Sequence, residues 1–219
     1  FKKYDENLVQ KYKEKYLFDE IIARLLVIKK IDEKEIDIFL NPTIKKTIPN
    51  PYILKDMDKG IEKIYWAIKK KETIGIFGDY DVDGASATAL LGNFFDHISH
   101  PYEIFIPDRI KDGYGPSIKS FDKLIKKNIK IIITVDCGTI SFGAIDYAKK
   151  NEVSVIVLDH HQSEIKLPNA CAIINPNRLD CNSKLNYLCA AGVTFLFLVA
   201  LNSLLIKKLW FKEKKITEP

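Results

Sequence analysis

Acidic residues gather at three places in this sequence, each directly after a short apolar run. TIGIFG (73–78) runs into Asp79, Asp81 and Asp83, KIIITV (130–135) into Asp136, and VSVIVL (153–158) into Asp159, followed by His160 and His161. Taken singly, an acid in such a place serves as well as a helix cap or turn residue, and for Asp136 alone that reading stands level with a functional one. Taken together they predict metal, because carboxylates sharing a crevice raise one another's pKa unless cations neutralise them. Oxygen donors with one or two imidazoles suit Mn²⁺, or Mg²⁺, better than zinc, and a carboxylate between two ions can bridge them. Two such ions activate water and stabilise the attacking and leaving oxygens of an in-line displacement, the chemistry of phosphodiester hydrolysis.

The elements that must position these acids are legible as periodicity. TIGIF (73–77), YEIFI (102–106), KIIITV and VSVIVL are near-continuous apolar runs, and between them lie segments of helical length and spacing such as GASATALLGNFFDHI and ISFGAIDYAKK. Strands of this kind alternating with helices predict an α/β fold with a parallel sheet flanked by helices on both faces. The carboxyl ends of such strands share one edge, where ligands bind, so all three acidic groups converge there.

Residues 1–70 read differently. Lys and Glu alternate with Leu and Ile at helical spacing in FDEIIARLLVIKK (18–30) and DMDKGIEKIYWAIKK (56–70), which predicts a helical N-terminal region ahead of a catalytic domain over 71–219. LCAAGVTFLFLVALNSLLI (188–206) carries no charge, but Thr194, Asn202 and Ser203 interrupt it and it stands alone, so it is expected to be a buried core helix rather than a membrane span.

Other motifs compete poorly. DYDVDG resembles the start of a calcium-binding loop, yet the twelfth position is Leu90 and a strand rather than a helix precedes it. The small residues Gly84 to Ala87 instead fit a helix start lying close to the sheet. Neither a P-loop nor a G-x-G-x-x-G string is present, which argues against nucleoside-triphosphate and dinucleotide binding. Cys137, Cys171, Cys181 and Cys189 have no zinc-type spacing and fit reduced thiols in the cytoplasm, and the first residues lack the apolar stretch of an export signal.

The net charge of +5 permits a nucleic-acid partner without requiring one. Of the 34 basic residues only Arg24, Arg109 and Arg178 are arginine. Arg109 lies in the Gly-rich loop PDRIKDGYG (107–115), where Tyr114 sits between two glycines; a turn with a surface Arg and a core-capping Tyr is the plain alternative there. His97 and His100, at a helix end before Pro101, are expected on the surface.

GDYDVDG (78–84), PDRIKDGYG, VDCG (135–138), LDHH (158–161), INPN (174–177) and LCAAGVTF (188–195), in this order, resemble the DHH phosphoesterase family. The resemblance implies that Asp81, Asp83, Asp136 and His160 are ligands of two Mn²⁺ or Mg²⁺ ions, with Asp136 bridging, and that Asp79 and Asp159 are ligands or supporting acids. It also implies that His161 contacts the scissile phosphate, that Arg109 clamps a phosphate, and that Tyr114 stacks on a base or sugar. The implied activity is digestion of single-stranded DNA from a 5′ end in repair or recombination, with a helicase and a single-strand-binding protein as further partners. Short oligonucleotides or cyclic dinucleotides are the alternative substrates, and a non-catalytic, DNA-binding member of the fold is the third reading. Family members carry a further aspartate downstream of these motifs. Together with a first residue that is Phe rather than Met, this leads to the expectation of a piece of a longer protein, with weak or absent activity on its own.

Overall fold

The computed structural model describes residues 4–219. The chain divides into two compact units, Phe1–Asn50 and Pro51–Pro219.

The first unit is helical. Helices α1 (Glu6–Tyr16), α2 (Glu20–Ile28), α3 (Ile36–Leu40) and α4 (Ile44–Thr47) follow one another through short turns. Asp5 caps α1 by accepting from the Asn7 and Leu8 amides, and Thr43 caps α4. Val9, Tyr12, Ala23, Leu26, Val27 and Ile36 form a small core. Lys11, Lys15 and Tyr16 converge on Glu33 to close the end of that core.

The second unit carries α5 (Met57–Lys70), β1 (Ile74–Phe77), α6 (Val82–His97), β2 (Tyr102–Phe105), α7 (Ile118–Ile125), β3 (Ile131–Val135), α8 (Phe142–Lys150), β4 (Ser154–Leu158), β5 (Ala172–Ile174), α9 (Ala190–Lys207) and α10 (Trp210–Lys214). The five strands form one parallel sheet in the order β2-β1-β3-β4-β5. Helices α7 and α8 cover one face, packing Phe121, Leu124, Ala144, Ile145 and Ala148 onto Phe77, Ile132, Val155 and Val157. Helices α6 and α5 each pack on α9, and all three pack against strands on the opposite side. The expected α/β architecture is therefore what the chain adopts.

Three features differ from the sequence reading. Helix α5, assigned there to the N-terminal lead, packs on α9 and β5, so the boundary between units falls after Asn50 and not after residue 70. A Cβ on Gly60 of α5 would lie 2.8 Å from the Ile174 side chain, a measure of how closely this helix meets the sheet. Strand β5 is only three residues long and carries no periodic signal of its own; it forms by pairing with β4. His100 is buried, not on the surface, because the turn after α6 folds it against Phe95 and its Nε2 bonds the Glu72 carbonyl at 2.9 Å. Burial opposes its charged form and lowers its pKa.

Helix α9 is long and apolar enough to cross a membrane by length and composition, and half of that stretch is buried within the fold, where it packs against α6 and α5.

Candidate metal centre

The chain order places β2 on one side of β1 and β3 on the other, so β1 and β3 flank the point where the winding reverses, the usual crevice for ligands in open α/β sheets. Register does the rest. Phe77 pairs with Thr134 and Val135 with Leu158, so Asp136 and Asp159 leave neighbouring strands at the same level, and Asp79 leaves β1 beside them.

Each acid then meets a different environment. Asp81 is the N-cap of α6 and accepts from the Gly84 amide at 2.9 Å, which chiefly holds its carboxyl below the usual range. Gly84 is required there, since a Cβ would lie 2.6 Å from the Asp79 side chain and 2.8 Å from its backbone. Asp79 is buried, accepts from the Tyr80 amide at 2.8 Å, and is raised by that burial. Asp83 lies in the first turn of α6; its Oδ2 and Oδ1 accept from the Ala190 and Ala191 amides at 2.7 and 2.8 Å, and Oδ2 is 3.5 Å from His160 Nε2.

Asp136 is the least satisfied group. It sits at 1% exposure with a left-handed backbone, φ 61°, uncommon for a residue with a side chain. Its Oδ1 is buried without a hydrogen-bond partner, 3.2 Å from His160 Nε2. Burial first, then the charges of Asp83 and Asp81, push its carboxyl up to about 8. A buried carboxylate oxygen left in this state is what a cation-binding position looks like before its cation is counted.

Asp159 is the opposite case. Burial would raise it, but bonds from the His161 ring and the Thr139 amide outweigh that and hold it at about 2. Oδ1 accepts from His161 Nδ1 at 2.7 Å and from the His160 and His161 amides at 2.7 and 3.2 Å, and Oδ2 from Thr139 at 3.1 Å. Its bond to His161 keeps that imidazole protonated up to about 9. Its oxygens are committed to protein donors, so it orients the loop.

Donor atoms of Asp79, Asp81 and Asp136 lie within 4.8 Å of one another, and so do those of Asp136, His160 and His161. Asp136 belongs to both groups. His161 fits the second poorly as a ligand, because its Nδ1 donates to Asp159 and its ring is cationic, whereas metals take neutral imidazole. The donor set is oxygen with imidazole, and Cys137 is turned into the core, so the residues suit Mn²⁺ or Mg²⁺ rather than a thiolate-seeking ion.

Tyr114 is held by glycines on either side in the left-handed region, Gly113 at φ 78° and Gly115 at φ 74°. Its hydroxyl donates to the Asp136 carbonyl at 3.2 Å and lies 3.4 Å from His161 Nε2. It therefore borders the centre with its ring half open to solvent. Arg109 is exposed and stands over the Tyr80 ring at 5.6 Å, which ties its loop to the GDYDVDG loop. A cleft of about 550 Å³ opens beside His161 and Asp159, walled by Tyr114, Ile118, Ile140 and Phe142.

Sequence reasoning assigned no role to Asn175 and Asn177. Asn175 Nδ2 donates to Thr139 Oγ1 at 2.8 Å and to the His161 carbonyl at 2.9 Å, and Asn177 Nδ2 donates to the His160 carbonyl. The two asparagines clamp the His160-His161 backbone from β5. The repeated Asn of INPN was the available signal, but its partners lie in the loops that follow β3 and β4.

Residues 73–217 match the model of the DHH family, N-terminal domain. The chain is 32% identical over 191 residues to the single-stranded-DNA-specific exonuclease RecJ of Bacillus subtilis, covering 87% of this chain and 24% of that protein. It is 38% identical over 173 residues to the RecJ of Salmonella typhimurium, covering 76% of this chain and 29% of that one. The chain thus spans less than a third of the length of these relatives. Among solved structures, exonuclease RecJ bound to manganese superposes with a TM-score of 0.63 at 28% identity over 76% of this chain and 40% of that one. The chain therefore belongs to the DHH family.

Proposed function

We propose that this chain carries the catalytic centre of a metal-dependent nuclease that hydrolyses phosphodiester bonds in single-stranded DNA, working from a 5′ end. The observation that carries the reading is Asp136, the acid common to two donor groups, whose buried Oδ1 has no hydrogen-bond partner. The similarity to RecJ proteins, one of them solved with manganese, supports the substrate and the choice of metal.

Asp79, Asp81 and Asp136 would hold one ion, and Asp136 with His160 and the second lone pair of Asp83 Oδ2 the other, Mn²⁺ being the first choice and Mg²⁺ the second. Such a pair, when bound, supplies charge that activates water and stabilises the attacking and leaving oxygens.

The protein's own groups do the rest. His161 keeps a proton on its ring and offers Nε2 to a phosphate oxygen, with Asp159 fixing its orientation. Arg109 brings a permanently charged planar fork to a neighbouring phosphate, and Tyr114 offers a ring face to a base or sugar. The cleft beside them has the volume of a small-ligand site and receives part of the terminal nucleotide. A nuclease confined to single strands needs them produced and kept open, so a helicase and a single-strand-binding protein are its expected partners, in the cytoplasm.

The test follows end-labelled single-stranded DNA, duplex DNA and a cyclic dinucleotide in parallel while Mn²⁺ is titrated into the full-length protein. Single-stranded DNA should be digested, the duplex spared, and Asp136→Ala should abolish the reaction. Hydrolysis that survives Asp136→Ala would overturn the metal reading; turnover of the cyclic dinucleotide alone would move the substrate.

A further inference from the structure

Helix α9 begins without a cap of its own. Cys189 stands at its N-cap and makes no side-chain bond to the first turn, although the first amides of any helix need acceptors. Two of them find one in α6. Asp83 accepts the Ala190 amide on one oxygen at 2.7 Å and the Ala191 amide on the other at 2.8 Å, a contact spanning more than a hundred residues of sequence.

Seen from Asp83, the same contact fixes the carboxylate at both oxygens. Oδ2, held by Ala190, is the oxygen that lies 3.5 Å from His160 Nε2. Each carboxylate oxygen keeps one lone pair after accepting one amide. The positive end of α9 also offsets a negative charge that Asp81 and Asp136 would otherwise oppose. Ala190 is fully buried where the start of α9 packs against α6.

We propose that the Ala190 and Ala191 amides are positioning groups of the metal centre: they aim Asp83 at the ion shared with His160, so that α9 tunes metal affinity without touching the metal. This rests on the reading of Asp83, Asp136 and His160 as ligands.

The test removes one donor and keeps the helix. Ala190 is the first helical residue, where proline is tolerated, and Cys189 before it is extended at φ −81°, ψ 172°, as a residue preceding proline must be. Ala190→Pro and an amide-to-ester replacement at Ala190, with lactic acid in its place, are compared with wild type in the full-length protein. Mn²⁺ binding is read from the electron paramagnetic resonance of free Mn²⁺, and folding from circular dichroism. The expected result is Mn²⁺ binding roughly 10- to 100-fold weaker, with the melting temperature lowered by only about 2–4 °C. Wild-type Mn²⁺ affinity in either folded variant overturns the proposal, and the ester decides where the proline variant does not fold. Asp136→Ala separates the two readings. If it leaves Mn²⁺ binding intact, the metal reading fails; if it abolishes binding while both Ala190 variants bind as wild type, only the positioning role fails.

Discussion

His161 Nδ1 donates to Asp159 Oδ1 across 2.7 Å, and Asp159 is buried while His161 is half open to the cleft. The carboxylate therefore serves the histidine rather than an ion. Asp159→Asn should bring the His161 titration down from about 9 toward the ordinary value of about 6.5, observed by NMR of the imidazole resonances in metal-free protein. A raised histidine pKa adds stability that is complete below about 6.5 and fades as pH rises through about 9. The stability gap between wild type and variant should accordingly be widest at mildly acidic pH, below about 6.5, and narrow in strong base. An unchanged titration in the variant would show that Asp159 does not set the charge of His161.

Asp136 makes the metal-free protein pay for its function. An acid whose folded pKa is raised to about 8 destabilises the folded state once the unfolded chain ionises, so this contribution to stability falls as pH rises from about 4 to about 8. In chelator at pH 8, Asp136→Asn should melt higher than wild type, and the difference should vanish near pH 4. Mn²⁺ at a hundred times its dissociation constant should stabilise wild type by about 2.7 kcal/mol and leave the variant unmoved. A variant that melts lower than wild type in chelator at pH 8 would contradict the unsatisfied state of this carboxyl.

Asn175 is fully buried with its amide shared between Thr139 and the His161 carbonyl, and its carbonyl oxygen takes the Asn177 amide at 2.7 Å. Asn175→Ala strands those partners and should cost roughly 1–3 kcal/mol in urea denaturation. Because the loop it clamps carries His160, Mn²⁺ affinity should fall as well. Loss of stability with unaltered Mn²⁺ binding would make Asn175 a purely structural residue.

Arg178 ties the start of α5 to β5. It holds Asp180 with two bonds of 2.9 and 3.0 Å, Asp56 at 2.6 Å and the Ile173 carbonyl at 2.6 Å. Arg178→Met should destabilise by roughly 2–3 kcal/mol, less than for a fully buried pair because Asp180 is half exposed. Bonds from Arg178 and Lys55 hold Asp180 well below the usual carboxylate range; Asp56 is lowered too, its burial outweighed by bonds from Lys59, Arg178 and the Ile173 amide. Depressed acids stabilise above about pH 4 and lose that contribution as pH falls through their folded values. Acid unfolding should therefore begin at higher pH in the variant, a shift that a circular-dichroism pH titration would detect.

By itself the sequence determined the α/β class, four of the five strands and the convergence of the acids. Apolar runs alternating with helical spacing fix which segments are strands, and parallel strands must end along one edge, so TIGIFG, KIIITV and VSVIVL carried Asp79, Asp136 and Asp159 there whatever the details. Local periodicity could not say what each acid would meet on arrival. Tertiary structure left Asp136 Oδ1 without a hydrogen-bond partner, gave Asp159 to His161, and set Asp83 against the start of α9. It also formed β5 by pairing, buried His100 and joined α5 to the sheet unit. Each of these depends on a partner distant in sequence, and burial and hydrogen bonding across such distances decide the charge and reach of a side chain, which its own neighbours in the chain do not encode.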